Sequence, residues 1–284
     1  MLVYVSSLAS CTPAETDRVE SDAFVVFGDM EPSPEPDFAG TSLAVDAVRS
    51  LVDRGERVDR VLGVGDIAHR GTDVQYQAVA PILERLEPPF HAIPGNEEAG
   101  DFDRFLAEAR AWNDDPEAIP ALHYVIEGRC VDFVFATASV DGREPSDDDV
   151  HWIVSRLDES NDRSAVLVMH GAPDDTFESS GRRTIQNASY YENVLPHPAL
   201  AAVITGDLHL DVGTYPGVAV RHGAVHVHAP GLERTKIGDH VPRMRVFEAT
   251  CGGRLDLRTF DLETFEFMPE RAWSFELPVV DDTD

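Results

Sequence analysis

The sequence predicts an α/β fold carrying a second, more antiparallel sheet, and three observations predict it. Five apolar runs each end in a short cluster of Gly with Asp, Asn or His. Amphipathic stretches separate several of these runs, and the last third holds short β-branched and aromatic runs between turn residues. Residues 23–27 read as the first buried strand, closed by Gly28-Asp29, and Pro32, Pro34 and Pro36 mark the loop that follows. Over 41–54, Leu43, Ala47 and Leu51 lie four apart with Val48 beside them, and the pattern stops at Gly55, which predicts a helix. Strands at 61–64 and 90–93 end in Gly65-Asp66 and Gly95-Asn96. Phe102, Phe105, Leu106, Ala109 and Trp112 predict a second helix; Val150, Ile153, Val154 and Leu157 predict a third, behind Ser146 and three aspartates. Strands at 165–169 and 201–204 lead into His170-Gly171 and Gly206-Asp207-Leu208-His209. Residues 122–126, 131–136, 218–228, 244–249 and 255–260 predict antiparallel strands, with Cys251-Gly252-Gly253 as a hairpin signal. The five polar clusters are expected to converge on one rim of a sheet, where open α/β folds place chemistry. Asp, Asn and His gathered there read as a metal site.

With 284 residues and 43% hydrophobic content, the chain can bury a sizeable core. Asp and Glu number 52 against 23 Lys and Arg, Lys236 is the sole lysine, and the net charge of -29 is spread along the length. Such a surface repels phosphate backbones, and no basic groove with interleaved aromatics is visible, so nucleic acid is not an expected partner. Acidic side chains keep a protein hydrated once salt screens their repulsion, so the charge reads as salt adaptation in a high-salt cytosol. A mesophilic acidic protein is the alternative. Cys11, Cys130 and Cys251 are odd in number and far apart, with no CxxC pair. They indicate neither a disulfide framework nor a zinc site, and they fit a reducing compartment. No run approaches the roughly eighteen apolar residues of a membrane span, so a cytoplasmic location is expected. Lipoprotein anchoring through Cys11, after Leu8-Ala9-Ser10, is the lesser alternative, because no basic residue precedes a very short apolar stretch.

The succession GD, GDIAHRG, GNEE, MHGAP and GDLHL, with His151-Trp152 heading the helix before the fourth, resembles calcineurin-like metallophosphoesterases. The usual motifs of that family are D-x-H, GD, GNH[DE], GH and GHxH. The resemblance covers residues 22–262 and leaves 1–21 as an N-terminal arm and 263–284 as a C-terminal tail. It implies a two-sheet β-sandwich flanked by helices. It also implies two divalent ions, one held by Asp29, Glu31, Asp66 and His209, the other by Asp66, Asn96, His170 and Asp207, with Asp66 bridging. Two such ions about 3.5 to 4 Å apart need a shared anionic ligand, and water between them becomes a bridging hydroxide for in-line attack on phosphorus. The implied activity is hydrolysis of a small phosphate ester by a phosphatase or phosphodiesterase. Oligomeric state and monoester against diester stay open.

Three carboxylates stand where the family has histidine: Glu31, Glu97 and Asp207. Glu31 and Asp207 make the site harder and favour Mn2+, with Mg2+, Fe and Zn2+ as alternatives. Glu97 replaces a histidine that protonates the leaving oxygen, and a carboxylate ionised beside two dications cannot do so. His69, three residues after Asp66, is the expected substitute acid, with Arg70 as a phosphate contact through its forked donors. The second reading is a metallophosphoesterase-like binding or scaffold protein with impaired chemistry, on the strength of Glu97. His226 and His228 share one face of a strand and could form a metal pair, although a structural role is favoured. Arg182 and Arg183 read as a solvated loop pair that could also steer an anion. Gly63, Gly65 and Gly71 form no dinucleotide or P-loop fingerprint.

Overall fold

The computed structural model describes residues 19–113, 115–160, 163–178 and 181–277. Cys11, with most of the expected N-terminal arm, and residues 278–284 lie outside them. β1 (Ser21–Phe27), β2 (Arg60–Gly63) and β3 (Phe90–Ala92) pair in parallel as half of one six-stranded sheet. β10 (Arg243–Thr250), β11 (Arg254–Asp261) and β12 (Glu266–Glu276) extend it antiparallel from β1, in the order β12-β11-β10-β1-β2-β3. The second sheet runs β4-β5-β6-β7-β9-β8, built from β4 (His123–Glu127), β5 (Val131–Ala136), β6 (Ser164–Val168), β7 (Leu200–Thr205), β8 (Val218–Arg221) and β9 (Ala224–His228).

Strand alternation decides what lies between the sheets. On β5, Phe133 and Phe135 join the larger core, and the Phe133 ring meets Phe24 of β1 edge-on at 4.9 Å. Val134 and Ala136 point the other way, into a second core with Val150, Ile153 and Leu157 of helix α4 (Asp147–Glu159). Helices α1 (Ala39–Asp53) and α2 (Asp73–Leu83) add Ala44, Val48, Leu51, Tyr76 and Val79 to the larger core. The short helix α3 (Phe102–Ala109) runs into a 3-10 turn that buries Trp112 beside Phe105.

The structure departs from the sequence expectations in five places. The motif-bearing strands are divided between two sheets, so the polar clusters meet across the facing ends of a sandwich rather than on one rim. The run at 218–228 breaks into β8 and β9 at His222-Gly223, both with positive φ, as a two-residue hairpin requires. Residues 266–276, within the expected tail, form β12, and α2 is a fourth helix. The fifth departure is a disulfide joining Cys130 and Cys251, with Cα atoms 4.5 Å apart across 121 residues of sequence. Cys130 precedes β5 and Cys251 lies in the β10–β11 turn, so the sandwich brings together thiols that sequence spacing alone separates. The argument from unpaired thiols to a reducing compartment is thereby lost. No helix among the described residues is long and apolar enough to cross a membrane.

Candidate metal centre

Loops leaving β1, β2 and β3 meet loops leaving β6, β7 and β9 at one end of the sandwich. Backbone hydrogen bonds bind them together. Met30 and Glu31 donate N–H groups to Asp66 O at 2.9 and 2.8 Å, Gly206 N reaches His170 O at 3.0 Å, and Leu232 N reaches Asp29 O at 2.9 Å. The approach is close enough to require glycine. A Cβ on Gly95 would stand 2.3 Å from Asp66 Oδ1 and 2.9 Å from His170 Cε1. Asp66, Asp207 and His209 all have φ between 50° and 66°, an uncommon conformation for residues with side chains.

Two donor groups result. Ligand atoms of Asp29, Glu31, Asp66 and His209 lie within 4.8 Å of one another, as do those of Asp66, His170 and Asp207, and all six residues are buried. Asp66 belongs to both. Asn96 joins the second group through Oδ1, 3.1 Å from His170 Nε2. Outer contacts orient the two histidines: His170 Nδ1 donates to Val64 O at 2.8 Å and His209 Nδ1 to Arg234 O at 3.2 Å, which turns both Nε2 atoms inward, His209 Nε2 as an acceptor from Lys236 and His170 Nε2 against Asn96 Oδ1 and Asp66 Oδ1.

The cage suits cations. Asp29 Oδ2, Glu31 Oε2, Asp66 Oδ2 and Asp207 Oδ1 are buried without a hydrogen-bond partner among the described residues. Anionic oxygens left so are costly unless positive charge meets them. Burial pushes the Asp29 carboxyl up, and burial with repulsion from Asp66 and Asp29 pushes Glu31 well up. Burial opposes charge on His170, yet the surrounding Asp66, Asp29 and Asp207 carboxylates raise its pKa to about 10. Carboxylate-rich donors around a shared aspartate therefore fit a divalent metal centre.

His69 and Glu97 sit beside the second group. Glu97 N donates to Asp66 Oδ1 at 2.8 Å, and Glu97 Oε2 accepts from Arg70 N at 2.9 Å and lies 3.0 Å from His69 Nδ1. His69 Nε2 faces outward, 3.4 Å from Ser33 Oγ, and Arg70 is exposed. Four cationic side chains that no motif carried also enter. Arg143 Nε donates to Asp207 Oδ2 at 2.7 Å, Arg182 lies 3.5 Å from Asp207 Oδ1, Arg234 bonds Glu31 Oε1, and Lys236 Nζ is 2.7 Å from His209 Nε2. Arg182 thus leaves the solvated-pair reading, while Arg183 pairs with Asp141 at the surface. Glu98 was missed as well. Fully buried, it accepts from Ala68 N at 2.7 Å and Gly95 N at 2.8 Å, tying two motif loops, and burial raises its pKa to about 8. The acid doublet Glu97-Glu98 after Gly95-Asn96 was its only sequence signal. His226 and His228 are buried in β9 and belong to no group of three metal donors among the described residues.

Two mixed sheets with a buried carboxylate and imidazole cage at their facing ends define the class as a phosphoesterase-type α/β/β/α sandwich. Residues 23–211 match the family described as calcineurin-like phosphoesterase, and the chain belongs to that family. It is similar to a glycerophosphodiester phosphodiesterase, GpdQ, of Enterobacter lignolyticus, with 29% identity over 135 residues. A probable glycerophosphodiester phosphodiesterase of Arcobacter nitrofigilis shares 25% over 118 residues. The matched stretches span 45% and 40% of this chain and 47% and 42% of those relatives, so less than half of each. Among solved structures, a dimetal phosphatase from Danio rerio superposes with a TM-score of 0.68 at 16% identity, covering 90% of this chain and 99% of that one. A purple acid phosphatase from yellow lupin seeds gives 0.63 at 12% identity, covering 91% of this chain and 54% of that one. At such identities these likenesses speak to the fold.

Proposed function

We propose that the chain is a divalent-metal-dependent hydrolase of small phosphate esters, with phosphodiesters the first substrates to try. The observation that carries this reading is the sharing of Asp66 between two buried donor groups. Asp29, Glu31, Asp66 and His209 would hold one ion, and Asp66, Asn96, His170 and Asp207 the other. Bound there, two hard ions such as Mn2+ or Mg2+ would supply a bridging hydroxide at neutral pH and Lewis-acid contacts to phosphate oxygens. The chain's own residues supply the rest. Glu97 Oε2 lies 3.0 Å from His69 Nδ1, His69 Nε2 would deliver a proton to the departing alkoxide, and Arg70 would offer its fork to a non-bridging oxygen. The names of the two curated relatives support diesters over monoesters.

The test is hydrolysis of an activated bis-aryl phosphate after Mn2+ loading in concentrated salt, where the charge of -29 is screened. Turnover that disappears in Asp66→Ala, together with its bound metal, is the expected result. Equal background rates in both proteins would support the second reading, a binding or scaffold role, which the carboxylate at Glu97 favours.

A further inference from the structure

Lys236 is the only lysine in the chain, and it points into the metal cage. Its Nζ lies 2.7 Å from His209 Nε2 and 3.9 Å from Glu31 Oε1. His209 Nδ1 is committed to the Arg234 carbonyl, so Nε2 is the nitrogen with which His209 could hold an ion, and the ammonium takes its lone pair. On Glu31, the Arg234 guanidinium bonds the same oxygen, Oε1.

Both cations come from one loop, and that loop is anchored at three points. Leu232 N donates to Asp29 O at 2.9 Å and Lys236 N to His209 O at 3.0 Å. Between them, the Glu233 carboxylate accepts from Gly40 N at 2.9 Å, Thr41 N at 2.6 Å and Thr41 Oγ1 at 2.7 Å, at the start of α1. The loop therefore delivers two single positive charges, the charge of one divalent ion, to the Asp29, Glu31, Asp66 and His209 group. The other group is treated differently. Two guanidinium groups also meet Asp207, Arg143 Nε on Oδ2 at 2.7 Å and Arg182 3.5 Å from Oδ1, but the histidine of this group is left to its carboxylate and amide neighbours: no ammonium reaches His170 Nε2, which lies 3.1 Å from Asn96 Oδ1 and 3.3 Å from Asp66 Oδ1.

We propose that Lys236, assisted by Arg234, is an internal cation that competes with a divalent ion for the Asp29 group. The two positions then load in separate steps, the His170 group first and the Asp29 group only after Lys236 withdraws from His209. The proposal rests on the metal-centre reading above and concerns its loading. An ion arriving beside His209 needs a lone pair that is already donated to and meets like charge at the same place.

The experiment titrates the metal-free full-length chain with Mn2+ in concentrated salt, following free Mn2+ by its electron paramagnetic resonance signal and bound Mn2+ by elemental analysis. The native protein takes up one ion, then a second only at about 10- to 100-fold higher free Mn2+, the range over which supporting residues alter metal affinity. Lys236→Met and Lys236→Gln bring the second step close to the first, whereas Lys236→Arg keeps the steps apart. Circular dichroism and melting temperature check that each variant is folded. Uptake of two ions in a single step by the native protein overturns the proposal, as does a second step that does not move in the two neutral variants. Failure of every protein to bind Mn2+ overturns the metal-centre reading with it, so the two failures are distinguishable.

Discussion

At the scale of single residues, the proposed chemistry turns on what stands in for one replaced histidine. Glu97 stands where the family has histidine, and its Oε2 lies 3.0 Å from His69 Nδ1 and accepts from Arg70 N. Under the proposed function the proton donor is then His69, with Glu97 as its neighbour. His69→Ala should lower phosphodiester turnover by about 100- to 10,000-fold, the range for a lost general acid, while elemental analysis finds metal content unchanged. Turnover at the native level would remove the role from His69. The residues flagged in sequence were legible because each anionic or imidazole group follows a strand, and strand ends fix where such groups go. Arg143, Arg234 and Lys236 were not legible as parts of the site, and Arg182 was legible only as a loop cation that could steer an anion. Each reaches the cage from a loop with no periodicity, and its partner is selected by tertiary approach. Asp207 and Glu31 held a clue: buried carboxylates in place of histidine call for positive partners.

At the scale of elements, helix α4 was legible because its start is written locally. Ser146 accepts from Asp149 N at 3.2 Å, and the Asp149 carboxylate returns a bond to Ser146 N at 2.8 Å, a capping box. Asp149 also accepts from Ser139 N at 2.9 Å and Ser139 Oγ at 2.6 Å and lies 3.2 Å from His123 Nε2. Burial alone would raise its pKa, but these donors hold it down to about 2. A carboxylate whose folded pKa is depressed stabilises the fold above its unfolded pKa and loses that contribution as pH falls through the folded value. Asp149→Asn should therefore destabilise by about 1 to 2 kcal/mol at neutral pH, a figure reduced for partial solvent screening. Denaturant melts should show the gap to the native protein closing between about pH 4 and pH 2. A gap independent of pH would assign the loss to shape rather than charge. By contrast, α1 has no side-chain cap of its own, because Glu233 caps it from far along the chain. β12 was hidden by charged residues and Pro269, both of which an outer strand tolerates. Pro81 in the last turn of α2 masked that helix in the same way.

At the scale of the whole molecule, the cage exists only while two sheets keep their ends aligned, and the opposite end of the sandwich carries the fastening. There Asp22 of β1 accepts from Arg129 N at 3.0 Å and Cys130 N at 2.7 Å and lies 3.6 Å from Arg60, while the Cys130–Cys251 disulfide joins the second sheet to the β10–β11 turn of the first. The two-sheet arrangement was legible through the family motifs. This cross-link was not, since nothing in the spacing of three distant cysteines says which pair a sandwich will bring together. Closing a loop across 121 residues stabilises mainly by restricting the unfolded chain, by about 2 to 4 kcal/mol for typical disulfides. In a chain of 284 residues, at about 2.1 cal/mol/K of unfolding entropy per residue, that corresponds to roughly 3 to 7 °C of melting temperature. The paired substitution Cys130→Ser with Cys251→Ser should therefore lower the midpoint by that amount in concentrated salt. Because Cys130 and Cys251 lie beside the start of β1 and the cage beyond its end, Mn2+ uptake well below the melt should match the native protein. A melting point unmoved by the double substitution would show that the cross-link does not fasten the sandwich. Lost Mn2+ uptake in a folded variant would show that sheet alignment at one end is transmitted to the donors at the other.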